Sequence, residues 1–178
     1  VNISVGTLPS VNEEGAEKLV QAVEALWDVG IVVVTAAGNY GPRPGSITSP
    51  GISKKVITVG SCDDQFYMEE GKKKRKSYSG RGPTAECVVK PDLLAPGSYI
   101  TSCNARYREK GQKPYTMKSG TSMSTPVVSG AIALLLSKYP DMSNVEVKLR
   151  LRESSIDIGR PQNEQGWGLL NVEKLLKE

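Results

Sequence analysis

The sequence predicts an α/β fold built on a mostly parallel sheet, and three observations carry that prediction. Ile31-Val32-Val33-Val34-Thr35-Ala36-Ala37 is a continuous, largely β-branched run, the pattern of a parallel strand buried on both faces. Val56-Ile57-Thr58-Val59-Gly60 is a second run of the same kind. A helical pattern lies between the first of these and a strand-like opening, and the order strand, helix, strand, loop, strand belongs to α/β architecture.

Taken in order, Val1 to Gly6 is expected as a short strand. Ser10-Val11-Asn12-Glu13 has the spacing of a capping box. Ala16, Leu19, Val20, Val23, Leu26 and Trp27 then recur at helical spacing, which predicts a helix with one face on the sheet, stopped by Gly30. A Gly/Pro/Ser loop covers 38–53, and 61–90 is polar and turn-rich. Short strands are expected at Leu93 to Ala95, Tyr99 to Cys103 and Tyr115 to Lys118. Ser122 to Lys138 is a helix of small residues, among them Ser124, Ser129, Gly130, Ala131 and Ala133, and is expected in the interior because neighbours can approach it closely all round. Pro126 falls in its first turn, where backbone N–H groups have no intrahelical partner. Ser143-x-x-Glu146 is a second capping box, opening a helix to about Arg152, and a short helix follows Asn171.

The 178 residues, 38% hydrophobic and 24% charged, make one domain-sized unit. No internal repeat or low-complexity linker divides it. No apolar run approaches the ~20 residues of a membrane span, so no membrane partner is expected. The opening has neither an initiator Met nor a signal-peptide pattern, and it reads as a cut through a larger protein. The net charge of +4 is mostly Lys72-Lys73-Lys74-Arg75-Lys76. This run is short and carries no aromatic stacking series, so a solvated loop tip is expected rather than a nucleic-acid site. Cys62, Cys87 and Cys103 form no C-x-x-C pair and there is no His, which argues against structural zinc. Free, buried thiols are expected; their odd count leans towards a reducing history.

Chemistry concentrates in Ser119-Gly120-Thr121-Ser122-Met123-Ser124-Thr125-Pro126. A Ser in the first turn of a buried helix lies against orphan N–H groups and the positive end of the helix dipole, which favour negative charge near its hydroxyl. An N-capping Ser is the plainer alternative. Ala36-Ala37-Gly38-Asn39 ends the buried strand, at the carboxyl side where α/β sheets bind ligands. Asn39 there is either an N–H donor to an oxyanion or simply a turn residue.

With these segments in place the chain resembles the subtilases over nearly its whole length. The resemblance rests on Val33-Val34-Thr35-Ala36-Ala37-Gly38-Asn39, Ser79-Gly80-Arg81-Gly82-Pro83, Lys90-Pro91-Asp92-Leu93-Leu94-Ala95-Pro96-Gly97, Gly120-Thr121-Ser122-Met123-Ser124-Thr125-Pro126 and Gly166-Trp167-Gly168-Leu169-Leu170-Asn171, in the family's order. It implies a subtilisin-like three-layer fold whose buried helix carries the nucleophile, with residues 1–178 forming the C-terminal portion of one catalytic domain. It implies a serine endopeptidase in which Ser122 attacks the scissile carbonyl while Asn39 and the Ser122 N–H hold the oxyanion. Ser4, Val5 and Gly6 would pair with the polypeptide substrate. Ala36, Ala37, Gly38, Thr48 and Thr121 would complete the substrate site. It implies no organic cofactor; calcium occurs in the family, and no residue here is assigned to it. Secretion is the family's habit.

One departure is plain. The family's triad runs Asp, His, Ser, and this chain has no His. The partner implied is a complementary N-terminal portion carrying Asp and His, without which the chain is expected to be inactive. The alternative is a pseudoprotease that keeps the fold for binding or regulation.

Overall fold

The computed structural model describes residues 1–8, 13–67 and 75–177. Along the chain these form β1 (Asn2–Ile3), α1 (Glu13–Asp28), β2 (Val34–Ala36), β3 (Ile57–Ser61), β4 (Gln65–Tyr67), β5 (Arg75–Ser77), β6 (Leu93–Ala95), β7 (Ile100–Cys103), β8 (Tyr115–Lys118), α2 (Thr121–Lys138), α3 (Asn144–Ser154), α4 (Gln162–Gln165) and α5 (Val172–Leu176). The expected α/β architecture is present. β1, β2, β3 and β6 form a parallel sheet in that order, with Thr35 opposite Thr58 and Val59 opposite Leu93. β2, β3 and β6 are buried at every residue, as their β-branched runs predict.

α2 lies across all four strands of this sheet. Val128, Ile132 and Leu135 of α2 meet Val34, Ile57, Val59 and Leu93 of the strands, with Val147, Leu151 and Leu175 packed behind. Each such side chain removed from water contributes roughly 1.5–3 kcal/mol. The expectation that α2 is interior on all sides holds for one face only. Val127 is 37% and Leu134 54% exposed on the other, and a Cβ added at Gly130 would meet nothing within 4 Å. Gly130 and Ala133 are exposed on that face, while Ser129 at its border donates to Asn2 Oδ1 at 2.9 Å.

The two sheet edges differ in the same way. On β6, Leu94 N–H donates to Gly168 O and Leu170 N–H to Leu94 O, both at 2.8 Å, so the Gly166–Leu170 segment closes that side. β1 pairs only with β2 among the described residues.

The capping box at the head of α3 is formed, with Ser143 N–H donating to Glu146 Oε2 at 2.7 Å and Glu146 N–H to Ser143 Oγ at 3.3 Å. Gly30, at φ +89°, ends α1 as expected. The earlier box at Ser10 and the basic residues Lys72, Lys73 and Lys74 lie outside the described residues. The turn-rich stretch contains an antiparallel β4–β5 pair that periodicity did not indicate. The cysteines are free, but the expectation that they are buried fails for two of them. Cys62 is half-buried, whereas Cys87 and Cys103 are exposed. Cys103 ends the β7–β8 hairpin, and Cys87 sits in the turn closed by Cys87 N–H to Thr84 O.

Candidate active site

Asn39 and Ser122 are 83 positions apart in the chain, and the fold joins them through Thr121. The Thr121 N–H donates to Asn39 Oδ1 at 2.9 Å and its hydroxyl donates to the same oxygen at 3.1 Å, while Gly38 N–H donates to Thr121 Oγ1 at 3.1 Å. Three hydrogen bonds therefore lock the carboxyl end of β2 to the first turn of α2. With Oδ1 so occupied, the Asn39 Nδ2 donors have no protein partner among the described residues, and Asn39 itself is exposed. Gly38 at φ +92° and Gly120 at φ +145° supply the turns.

Ser122 occupies the first turn of α2, half-buried, where its own N–H is among those a helix leaves unpaired. Its hydroxyl donates to Ser4 O at 2.8 Å. One cavity of about 500 Å³ is lined by Ser122, Asn39, Ser4, Val5, Gly6, Ala36, Gly38, Thr48 and Thr121, together with Tyr40, which the sequence did not single out. Ala37 is fully buried and does not line it, because alternate residues of a strand point to opposite faces. Thr121 is also fully buried, its hydroxyl spent on Gly38 and Asn39. Thr48 is wedged between two glycines: its Oγ1 lies 2.6 Å from where a Cβ on Gly6 would be, and its Cγ2 2.5 Å from one on Gly38.

A larger cavity of about 660 Å³ lies between α1 and the 45–54 loop, lined in part by Glu17, Glu24, Lys54 and Glu86. It contains neither Ser122 nor Asn39.

Among the described residues, none supplies Ser122 with a base at hydrogen-bond distance. There is no His. Asp92 is buried and accepts from Thr58 N–H at 2.7 Å and Lys90 Nζ at 2.6 Å. Lys90, 1% exposed, also donates to Val56 O at 3.0 Å. Lys148 Nζ donates to Lys54 O, Lys55 O and Val56 O, 3.7 Å from Asp92 Oδ1. Burial lowers the Lys148 pKa from 10.5 to about 8; the Asp92 charge opposes that shift and the Lys90 charge adds to it. Sequence reasoning missed this buried cluster, since Lys is almost never fully buried unless paired; only the Lys-x-Asp spacing of Lys90 and Asp92 hinted at it. Lys118 is exposed on β8. Among the described residues, no three His, Cys, Asp or Glu side chains gather so as to hold a metal ion.

The peptidase S8 subtilase family matches residues 1–168. The chain is 42% identical over 172 residues to serine protease AprX of Bacillus subtilis (strain 168), an alignment covering 91% of this chain and 39% of that protein. It is 36% identical over 175 residues to subtilisin DY of Bacillus licheniformis, covering 97% of this chain and 55% of that one. The chain thus spans about half or less of these curated relatives. The solved structure described as S41 psychrophilic protease superposes with a TM-score of 0.73 at 27% identity, over 96% of this chain and 56% of its own. With the parallel sheet, the Ser122 turn at the head of α2 and these matches together, the chain belongs to the subtilase family of serine proteases, peptidase S8.

Proposed function

We propose that this chain is the nucleophile-bearing portion of a serine endopeptidase, with Ser122 as nucleophile and Asn39 as oxyanion donor. The observation that carries the proposal is the Thr121–Asn39 clasp, which fixes a free Nδ2 donor and the Ser122 hydroxyl on one cavity. In the reaction the Ser122 oxygen bonds to the scissile carbonyl carbon as its proton passes to a base. The oxyanion is held by Asn39 Nδ2 and the Ser122 N–H, and the amine leaves with that proton. Water then releases the acyl group by the same steps.

The base is an imidazole oriented by an Asp, both on a complementary segment. The absence of His in this chain supports that reading. The bare face of α2 and the open edge of β1 offer apolar surface and unpaired backbone for such a segment. Ser122 would then exchange its present bond to Ser4 O for the imidazole. That frees the Ser4 carbonyl, with the Ser4–Gly6 backbone, to pair with the polypeptide substrate as an added strand. Thr48 and Ala36 wall the adjoining side-chain pocket. Secretion, the family's habit, completes the proposal; the three free cysteines weigh against it.

The test compares this chain alone with the full-length protein, using a peptide amide and a Ser-directed phosphonate. Hydrolysis and labelling of Ser122 are expected only in the full-length protein and are lost in Ser122→Ala. Turnover by the isolated chain at ordinary protease rates overturns the need for a separate base. A full-length protein that neither cleaves nor labels is a pseudoprotease.

A further inference from the structure

The β7–β8 hairpin turns one face towards Met123, the residue after the nucleophile. Ile100 is opposite Lys118 and Ser102 opposite Thr116, so these four side chains share a face of the ribbon. With Met123, Cys103 and Arg106 they line a cavity of about 580 Å³ that is separate from the one holding Asn39. Ser122 lines one cavity and Met123 the other, so the nucleophile stands at the boundary between them.

The charge of this second cleft is one-sided. Lys118 and Arg106 are exposed in its lining, and among the described residues no carboxylate lines it and neither cation makes an ion pair. The 104–114 segment beside it carries Arg106, Arg108, Lys110 and Lys113 against Glu109 alone. Unpaired cations in a concave, partly apolar site attract an anionic group to a fixed place.

We infer, resting on the peptidase function proposed for Ser122, that this cleft takes the amine side of the polypeptide and selects an acidic residue just after the scissile bond. The acyl side occupies the Ser4–Gly6 cavity, so a chain crossing Ser122 continues over Met123 into the β7–β8 cleft. There the stem of a Glu or Asp lies on the Met123 thioether and its carboxylate meets Lys118 or Arg106. One exposed ion pair shifts a rate ratio by roughly 1.4- to 5-fold, so two cations together span about 2- to 25-fold, and the middle of that range, about three- to tenfold, is the preference expected.

The experiment uses the full-length protease and peptides identical before the scissile bond, with Glu, Gln or Lys at the first and second positions after it. The expected kcat/KM for Glu over Lys is about three- to tenfold at low salt, shrinking at high salt as screening rises. Lys118→Glu combined with Arg106→Glu reverses the order. If that variant fails to label with the phosphonate, Lys118→Gln with Arg106→Gln replaces it and must bring the ratio towards one. Equal cleavage of all peptides, or a ratio untouched by these substitutions, overturns the inference and leaves the peptidase function standing. No cleavage of any peptide, with Ser122 unlabelled, overturns both.

Discussion

Thr121 and Asn39, 82 positions apart in the chain, meet through two hydrogen bonds to the one Asn39 Oδ1, at 2.9 Å from the Thr121 N–H and 3.1 Å from its hydroxyl. The helix start that carries Ser122 is thereby bolted to the strand end that carries the amide donor. Asn39→Ala in the full-length protein is expected to lower kcat by ~10²–10³ with a smaller change in KM, a figure borrowed from the oxyanion Asn of a subtilisin. Thr121→Val, which removes only the hydroxyl bonds to Gly38 and Asn39, is expected to fall between wild type and Asn39→Ala. Steady-state kinetics decide it; an Asn39→Ala enzyme within threefold of wild type ends the oxyanion role.

Thr48 limits the cavity beside Ser122. Its side chain fills the gap between Gly6 and Gly38, with Thr48 only 2% exposed. Thr48→Gly is expected to admit larger side chains before the scissile bond. The kcat/KM ratio of Phe over Ala substrates should rise about tenfold or more, the scale of small volume changes in a substrate pocket. An unchanged ratio would place the side-chain pocket elsewhere.

Ser124 is fully buried beneath Gly97, and its Oγ has no hydrogen-bond partner among the described residues. A buried hydroxyl without a partner forfeits its hydration, about 1–3 kcal/mol. Ser124→Ala is therefore expected to stabilise the protein by about 1 kcal/mol, seen as a higher urea midpoint at unchanged slope. A lower midpoint would mean that the hydroxyl is hydrogen-bonded in solution.

Lys148 gives stability a pH dependence of known sign. Its folded pKa, about 8, lies below the ordinary 10.5 because burial outweighs the pull of Asp92. Between those values the unfolded chain binds more protons than the folded one, so this residue makes stability rise with pH from about 8 to 10.5, by up to about 3 kcal/mol. Below pH 8 both states are protonated and the contribution is flat. Lys148→Met removes the rise. Urea unfolding of both proteins at pH 7.5, 9 and 10.5 checks it, and parallel profiles would contradict it.

By itself the sequence determined the sheet strands, the main helices and the two ends of the site. A β-branched run such as Val32–Thr35 has few ways to lie other than buried in a parallel sheet, and Gly120-Thr121-Ser122 announces a sharp turn into a helix. Those are local constraints, and local constraints are written in residue order. It could not show that Ala37 faces away from the cavity while Ala36 lines it, since that depends on register against β3. Nor could it show Lys90 and Lys148 converging on Asp92, or Thr48 lodged between Gly6 and Gly38. Each of these is a meeting of segments brought together only when the sheet and α2 close on one another. The exposure of one face of α2 belongs to the same class: small residues permit close packing, but whether a neighbour arrives is decided by the rest of the fold.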